Sequence, residues 1–406
     1  MPPNAAAALA GLRRLCTTTD AATITISRAK SQLRSEFDPD KALQIYSSVS
    51  KHYSSPVTSR YALDLTIRRL AKCRRHSDIV DLIESQKSDP KVASEPFLST
   101  LIRSYGIAGM FDRALQTYHQ MDTFGTPRTS VSFNALLTAC VNCALYHNAP
   151  HLFDEIPKQY GVVPDKVSYG ILAKSFCRIG DPAKALQVLK DAQGNGVEIT
   201  AVTYTTILDV LFRKGKIDEA EKLWRLMEEK GCVDVTAYNM KLKFLTAGGG
   251  GLPEKVNGLI DEMVKARFMP DTISYNYLMT CYFKNGMVEE AKEVYGGLRG
   301  KQCRPNAAMF RTVVYFLCRN EDFEGGYRVF KESAKVNKIP DFNTMKILVE
   351  GLVKKGKKEE AKKLIGTVKK RFPCNMLKAW AKVERNLNLV SDDGADSVES
   401  KKDSES

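Results

Sequence analysis

Along most of this 406-residue chain an aromatic or apolar residue returns at intervals of 34–37, and few folds can keep such a period. The positions are Tyr61, Phe97, Phe133, Tyr169, Tyr204, Tyr238, Tyr275 and Phe310, with Met345 closing the series. A small residue follows 16 positions later at Ala149, Ala185, Ala220, Ala291, Gly326 and Ala361, and 17 later at Ala114. A glycine stands 11 positions after four anchors, at Gly180, Gly215, Gly286 and Gly356, and 12 after a fifth, at Gly109. Glycine there marks a helix stop, and the small residue beyond it lets a second helix approach the first. In one unit Ile207, Leu208, Leu211 and Phe212 share a face of the first helix, and Ile217, Ala220, Leu223, Trp224 and Met227 a face of the second. Each unit therefore reads as helix, turn, helix. One such hairpin leaves its apolar face in water. Stacked neighbours bury it in a continuous core, so the period predicts an all-α solenoid.

The period divides the chain into nine units: 58–93, 94–129, 130–165, 166–200, 201–234, 235–271, 272–306, 307–341 and 342–376. Residues 28–57 are expected to cap the first unit, and residues 377–390, with Trp380, the last. The unit 235–271 carries an extra AGGGG at 247–251, which predicts a mobile loop. Residues 1–27 begin Ala-rich and hydroxyl-rich, with Arg13 and Arg14 and no acid before Asp20. That is the composition of an organelle transit peptide, and early Arg with scarce Ser points to the mitochondrial matrix. Residues 391–406 hold six acids among small polar residues and predict a disordered acidic tail.

Lys and Arg number 61 against 47 Asp and Glu, a net charge of +14 that becomes +18 once the acidic tail is set aside. The basic excess thus belongs to the repeats and favours a polyanionic partner. No run of 18 apolar residues occurs and the mean hydropathy is −0.28, so no membrane-spanning helix is expected. The ten cysteines show no regular pairing and lie mostly in apolar runs, as buried thiols of a reducing compartment do. Cys140, Cys143, His147 and His151 imitate a metal set, but the gap of three residues from Cys143 to His147 is too short for a zinc finger. They read as packed thiols and loop histidines. Neither a Walker-type phosphate loop nor the zinc-deaminase signature is present. The acid pairs Glu289-Glu290 and Glu359-Glu360 suit helix N-termini. The expectation is a protein without catalytic residues, cofactor, metal or small-molecule substrate.

The strings KVSYGILAKSFCRIGDPAKALQVL, AVTYTTILDVLFRKGKIDEAEKLW and TISYNYLMTCYFKNGMVEEAKEVY resemble pentatricopeptide repeats, and the resemblance extends over roughly 58–376. Unit ends at Pro164-Asp165, Pro270-Asp271, Pro305-Asn306 and Pro340-Asp341 agree with it. Tetratricopeptide repeats, with a Trp and a Gly early in the first helix, fit less well. The resemblance implies a right-handed α-solenoid of about nine repeats that binds single-stranded RNA in plant organelles, about one base per repeat. In that family the residue after the anchor and the last residue of the repeat read the base edge. The implied pairs are Asn134 with Asp165 and Asn239 with Asp271 for uridine, Thr205 with Asp234 for guanosine, and Asn276 with Asn306 for a pyrimidine. Ala62 with Ala93, Leu98 with Thr129 and Gly170 with Thr200 are poor readers, and Arg311 with Asp341 is placed to pair internally or to touch phosphate.

A basic residue also recurs nine positions after the anchor, at Arg178, Arg213, Lys284, Arg319 and Lys354. Stacking would align these into a stripe for successive phosphates, while the plainer reading is charge that complements a helix C-terminus. Four readable pairs in nine units are few for a protein that selects one transcript site. Over its whole length the chain is similar to the short pentatricopeptide proteins associated with the small subunit of the plant mitochondrial ribosome. That resemblance implies a structural component that binds single-stranded or structured ribosomal RNA beside mitochondrial ribosomal proteins and supports translation. A sequence-specific factor for mitochondrial mRNA processing, stability or translation is the alternative, and a protein-binding scaffold the second alternative.

Overall fold

The structure is a computed structural model that describes residues 25–50, 56–247, 251–370 and 374–389. Most of the expected transit segment, residues 248–250 of the AGGGG loop and the acidic tail lie outside the described residues. The described residues form 21 α-helices and two short 3-10 helices, Pro90–Ala93 and Gln120–Phe124. They fall into two units, divided between Cys232 and Val233.

The first unit contains α1 (Ile26–Ser35), α2 (Pro39–Ser50), α3 (Pro56–Lys72), α4 (His76–Gln86), α5 (Glu95–Ile107) and α6 (Phe111–His119). It continues through α7 (Ser130–Asn142), α8 (Asn148–Tyr160), α9 (Lys166–Ile179), α10 (Pro182–Gly194), α11 (Ala201–Arg213) and α12 (Ile217–Glu229). The second unit contains α13 (Val235–Leu245), α14 (Pro253–Lys265), α15 (Thr272–Lys284), α16 (Val288–Gly297), α17 (Ala307–Arg319), α18 (Phe323–Lys335), α19 (Phe342–Lys354), α20 (Lys358–Lys369) and α21 (Cys374–Asn386).

Local chemistry sets where the helices begin and end. Asp165, Asp234, Asp271, Asn306 and Asp341 each cap the following first helix, their side chains accepting backbone N–H groups that the helix cannot satisfy itself. This is the structural reason for the Pro-Asp and Pro-Asn ends of the repeats. The glycines at the turn, from Gly109 to Gly356, adopt φ between +69° and +88°. Ala144 and Glu321 hold positive φ in two units that lack the glycine.

Within the first unit, α1, α3, α5, α7, α9 and α11 pack in series; within the second, α13, α15, α17 and α19 do the same. Second helices such as α8, α10, α14 and α18 lie against their own first helix and the one that follows. The anchors from Phe97 to Met345 are buried, as are Ala114, Ala149, Ala185, Ala220, Ala291, Gly326 and Ala361 opposite them. One connected core runs from Leu33 to Val162.

Tyr61 corrects the anchor series. It is 42% exposed, with its hydroxyl accepting from Arg34 Nε at 3.3 Å. Helix α3 starts at Pro56, so Tyr61 is its sixth residue, whereas the buried anchors are third or fourth in theirs. Ser59 takes the fourth place, buried against the Tyr46 hydroxyl at 3.5 Å. At the N-terminal end, α1 and α2 make a complete helix pair, and α1 begins two residues before 28, capped by Thr25. At the C-terminal end, Trp380 of α21 is fully buried with its ring centroid 4.8 Å from that of Phe342. No helix among the described residues is long and apolar enough to cross a membrane.

Candidate nucleic-acid interface

Two of the expected reading pairs are assembled alike. Asn134 Nδ2 donates to Asp165 Oδ1 at 3.0 Å, and Asn239 Nδ2 donates to Asp271 Oδ1 at 3.1 Å. Each aspartate oxygen also accepts from the first turn of the next helix: Val167 and Ser168 N–H for Asp165, Ile273 and Ser274 N–H for Asp271. Burial works to raise the Asp165 carboxyl, but the donors from Asn134 and the helix backbone outweigh it and hold the group below the ordinary aspartate value. Asp165 is therefore an anion at neutral pH, already oriented at the start of a helix.

The other two pairs differ. Thr205 Oγ1 donates back to the Ala201 carbonyl at 2.7 Å, and Asp234 caps α13 through the Ala237 N–H at 2.8 Å. Asn276 Oδ1 is buried without a hydrogen-bond partner among the described residues, and Asn306 caps α17 through the Met309 N–H at 2.9 Å. Among the poor readers, Ala62 and Leu98 are buried outright, while Arg311 lies 3.9 Å from Asp341.

The five basic residues all sit in the last turn of a first helix, where they complement its negative end. Their engagements are unequal. Arg213 pairs with Asp209 at 2.9 Å, Lys354 with Glu321 at 3.7 Å, and Lys284 Nζ donates to the Thr246 carbonyl at 3.0 Å. Lys284 and its neighbour Asn285, which donates to the Gly251 carbonyl, hold both edges of the AGGGG insertion. Arg178 and Arg319 are exposed with no hydrogen-bond or ion-pair partner among the described residues.

Comparison with known proteins decides the family. Residues 128–178, 199–246 and 270–319 match the model of the PPR repeat family, and residues 98–126 and 167–197 that of the PPR repeat. A small ribosomal subunit protein of Arabidopsis thaliana, mL103 (rPPR7), is 55% identical over 370 residues, 91% of this chain and 89% of that protein. The chain belongs to the pentatricopeptide repeat family. A second Arabidopsis thaliana member, named as mitochondrial, is 51% identical over 379 residues, 93% of this chain and 89% of its own length. The crystal structure of the maize pentatricopeptide repeat protein PPR10 aligns with a TM-score of 0.48 at 21% identity, over 95% of this chain and 57% of that one.

The pentatricopeptide framework also exposes residues that the sequence reading did not single out. Val131, Val167, Val202 and Ile273 all stand two positions before an anchor and are 47–73% exposed. Val167 and Ile273 directly follow the turn made by Asp165 and Asp271, so an aliphatic surface adjoins each Asn–Asp pair. Such a surface suits the flat face of a base. The signal was available as a repeated aliphatic at a fixed offset in the exposed first turn.

Other polar clusters serve the scaffold. Glu95 accepts from Thr129 N–H at 2.7 Å, Thr129 Oγ1 at 2.8 Å and Ser132 N–H at 3.0 Å, so a residue of one repeat caps the first helix of the next. Arg128 is buried against Tyr160, with its guanidinium 4.2 Å from the ring centroid, and donates to the Tyr118 and His119 carbonyls at 3.0 and 2.9 Å. Cys140 and Cys143 donate to the carbonyls of Leu145 and Gly106, and burial raises the Cys140 thiol to about 11. Among the described residues no His, Cys, Asp and Glu side chains gather as a metal set.

Proposed function

We infer that this protein is a non-catalytic RNA-binding pentatricopeptide protein of mitochondria, acting as a structural component of the ribosomal small subunit. The observation that carries this reading is the 55% identity to a protein named as a small ribosomal subunit protein, sustained over 91% of this chain and 89% of the relative. The mitochondrial assignment draws on the name of the 51%-identical relative and on the acid-poor, Arg-bearing N-terminus. Chemistry on the first helices supports RNA as the partner. Asn134–Asp165 and the half-buried Asp271, whose partner Asn239 is 3% exposed, offer hydrogen-bonding groups for base edges, Val167 and Ile273 offer apolar faces, and Arg178 and Arg319 offer charge that has no partner among the described residues. The buried Ala62 and Leu98 leave stretches where shape and charge, rather than a base code, would make the contact.

The test is sedimentation of tagged full-length protein from lysed mitochondria, with the ribosome split into its subunits at low magnesium. Co-migration with the small subunit through moderate salt is the expected result. Migration with the large subunit would keep the ribosomal role and correct the particle. Absence from both, with ultraviolet crosslinks concentrated on messenger sites, would overturn the reading in favour of a transcript-specific factor.

A further inference from the structure

The two assembled reading pairs share a third member, and it belongs to the next repeat. Ser168 and Ser274 are the third residues of α9 and α15. Ser168 Oγ donates to Asn134 Oδ1 at 2.6 Å, and Ser274 Oγ donates to Asn239 Oδ1 at 2.7 Å, closer than either hydroxyl lies to the aspartate oxygen at 3.2 and 3.1 Å. Each hydroxyl also accepts from the backbone N–H of Asp165 or Asp271 at 3.1 Å, which leaves its proton for the amide carbonyl. On the far side the amide nitrogen donates to the aspartate. Both ends of the amide are thus gripped, and a half-turn would set its carbonyl oxygen against a carboxylate.

The repeat 272–306 lacks this arrangement. Met309, third in α17 and fully buried, stands where Ser168 and Ser274 stand. Asn276 Oδ1 is buried with no partner among the described residues, and the closing residue is Asn306, whose own Oδ1 is taken by the Met309 N–H.

We propose that the serine at the third position of the following repeat is a specificity-determining residue, holding the reading asparagine in one orientation so that its repeat separates uracil from cytosine, while Asn276, lacking the serine, accepts both. This rests on the RNA-binding reading above. The chemical basis is ring N3, a donor in uracil and an acceptor in cytosine. An amide fixed in one orientation matches one of these, and an amide free to turn matches either.

The experiment selects a short random-sequence single-stranded RNA pool on the full chain and counts bases at each position of the bound species. Wild type is expected to show a position with a strong preference between the two pyrimidines beside a position that takes both. Ser274→Ala should lower the preference at the first of these positions alone by about fivefold, the worth of one net hydrogen bond. Ser274→Thr should retain it, and Met309→Ser should sharpen the adjacent position. If Met309→Ser unfolds, Ser274→Ala, which removes a single oxygen, still decides the matter. An unchanged preference in Ser274→Ala with RNA still bound would overturn the proposal alone. Failure of the wild-type chain to enrich any RNA would overturn the RNA-binding reading and this proposal with it.

Discussion

Glu95 shows how a single carboxylate ties two repeats together. Burial by itself would raise this group, but hydrogen bonds from Ser132 and Thr129 prevail and hold it below the ordinary glutamate value. A carboxyl held low in the folded chain contributes stability above its unfolded value and loses it as pH falls through the folded one. Urea midpoints followed by circular dichroism are therefore expected to drop as pH falls through and below the ordinary glutamate range. Glu95→Gln should lower the neutral-pH stability by about 1–3 kcal/mol and flatten that acid limb. A limb equally steep in the variant would assign it to other carboxylates. Nothing in the sequence marked Glu95, because its donors, Thr129 and Ser132, become neighbours only when repeats stack. The aspartates at repeat ends were legible, since Pro-Asp before an amphipathic run is itself a helix-start signal.

At the scale of the element, close packing of first helices sets the tolerance. A Cβ placed on Gly106 of α5 would lie 2.4 Å from Ala139 Cα of α7, so Gly106→Ala forces the two helices apart. The expected loss is about 1–3 kcal/mol. Gly296 of α16 has nothing within 4 Å of the same position, and Gly296→Ala should gain about 0.5–1 kcal/mol by removing unfolded-state freedom. Thermal melts of the two variants should move in opposite directions, and a matching shift would deny the contact its importance. Helix pairs, turn glycines and buried alanines were legible because each repeats at a fixed offset. The register of α3 was not, because Pro56 starts that helix early and carries Tyr61 round to the surface.

For the whole molecule, excess charge becomes useful only where protein partners leave it free. Arg213, Lys284 and Lys354 are each engaged within the fold, whereas Arg178 and Arg319 have no partner among the described residues. Replacing Arg178 and Arg319 together with alanine should reduce the salt dependence of RNA affinity by about two in the logarithmic slope. Replacing Arg213 and Lys354 should reduce it less. Filter binding across a salt series measures both, and equal slopes would show that the ion pairs yield to phosphate. The five positions were visible as a period, but which of them are spoken for depends on acids and a backbone carbonyl a repeat away or a turn away. The hydroxyl of Ser168, reaching back across a repeat boundary to Asn134, carries a last consequence for anyone recombining such chains. The unit of heredity in a tandem array need not be the unit of meaning. On the proposal above, a graft cut after Asp165 would keep the letter and discard the hydroxyl that fixes its spelling. A cut inside α10 would carry the whole phrase.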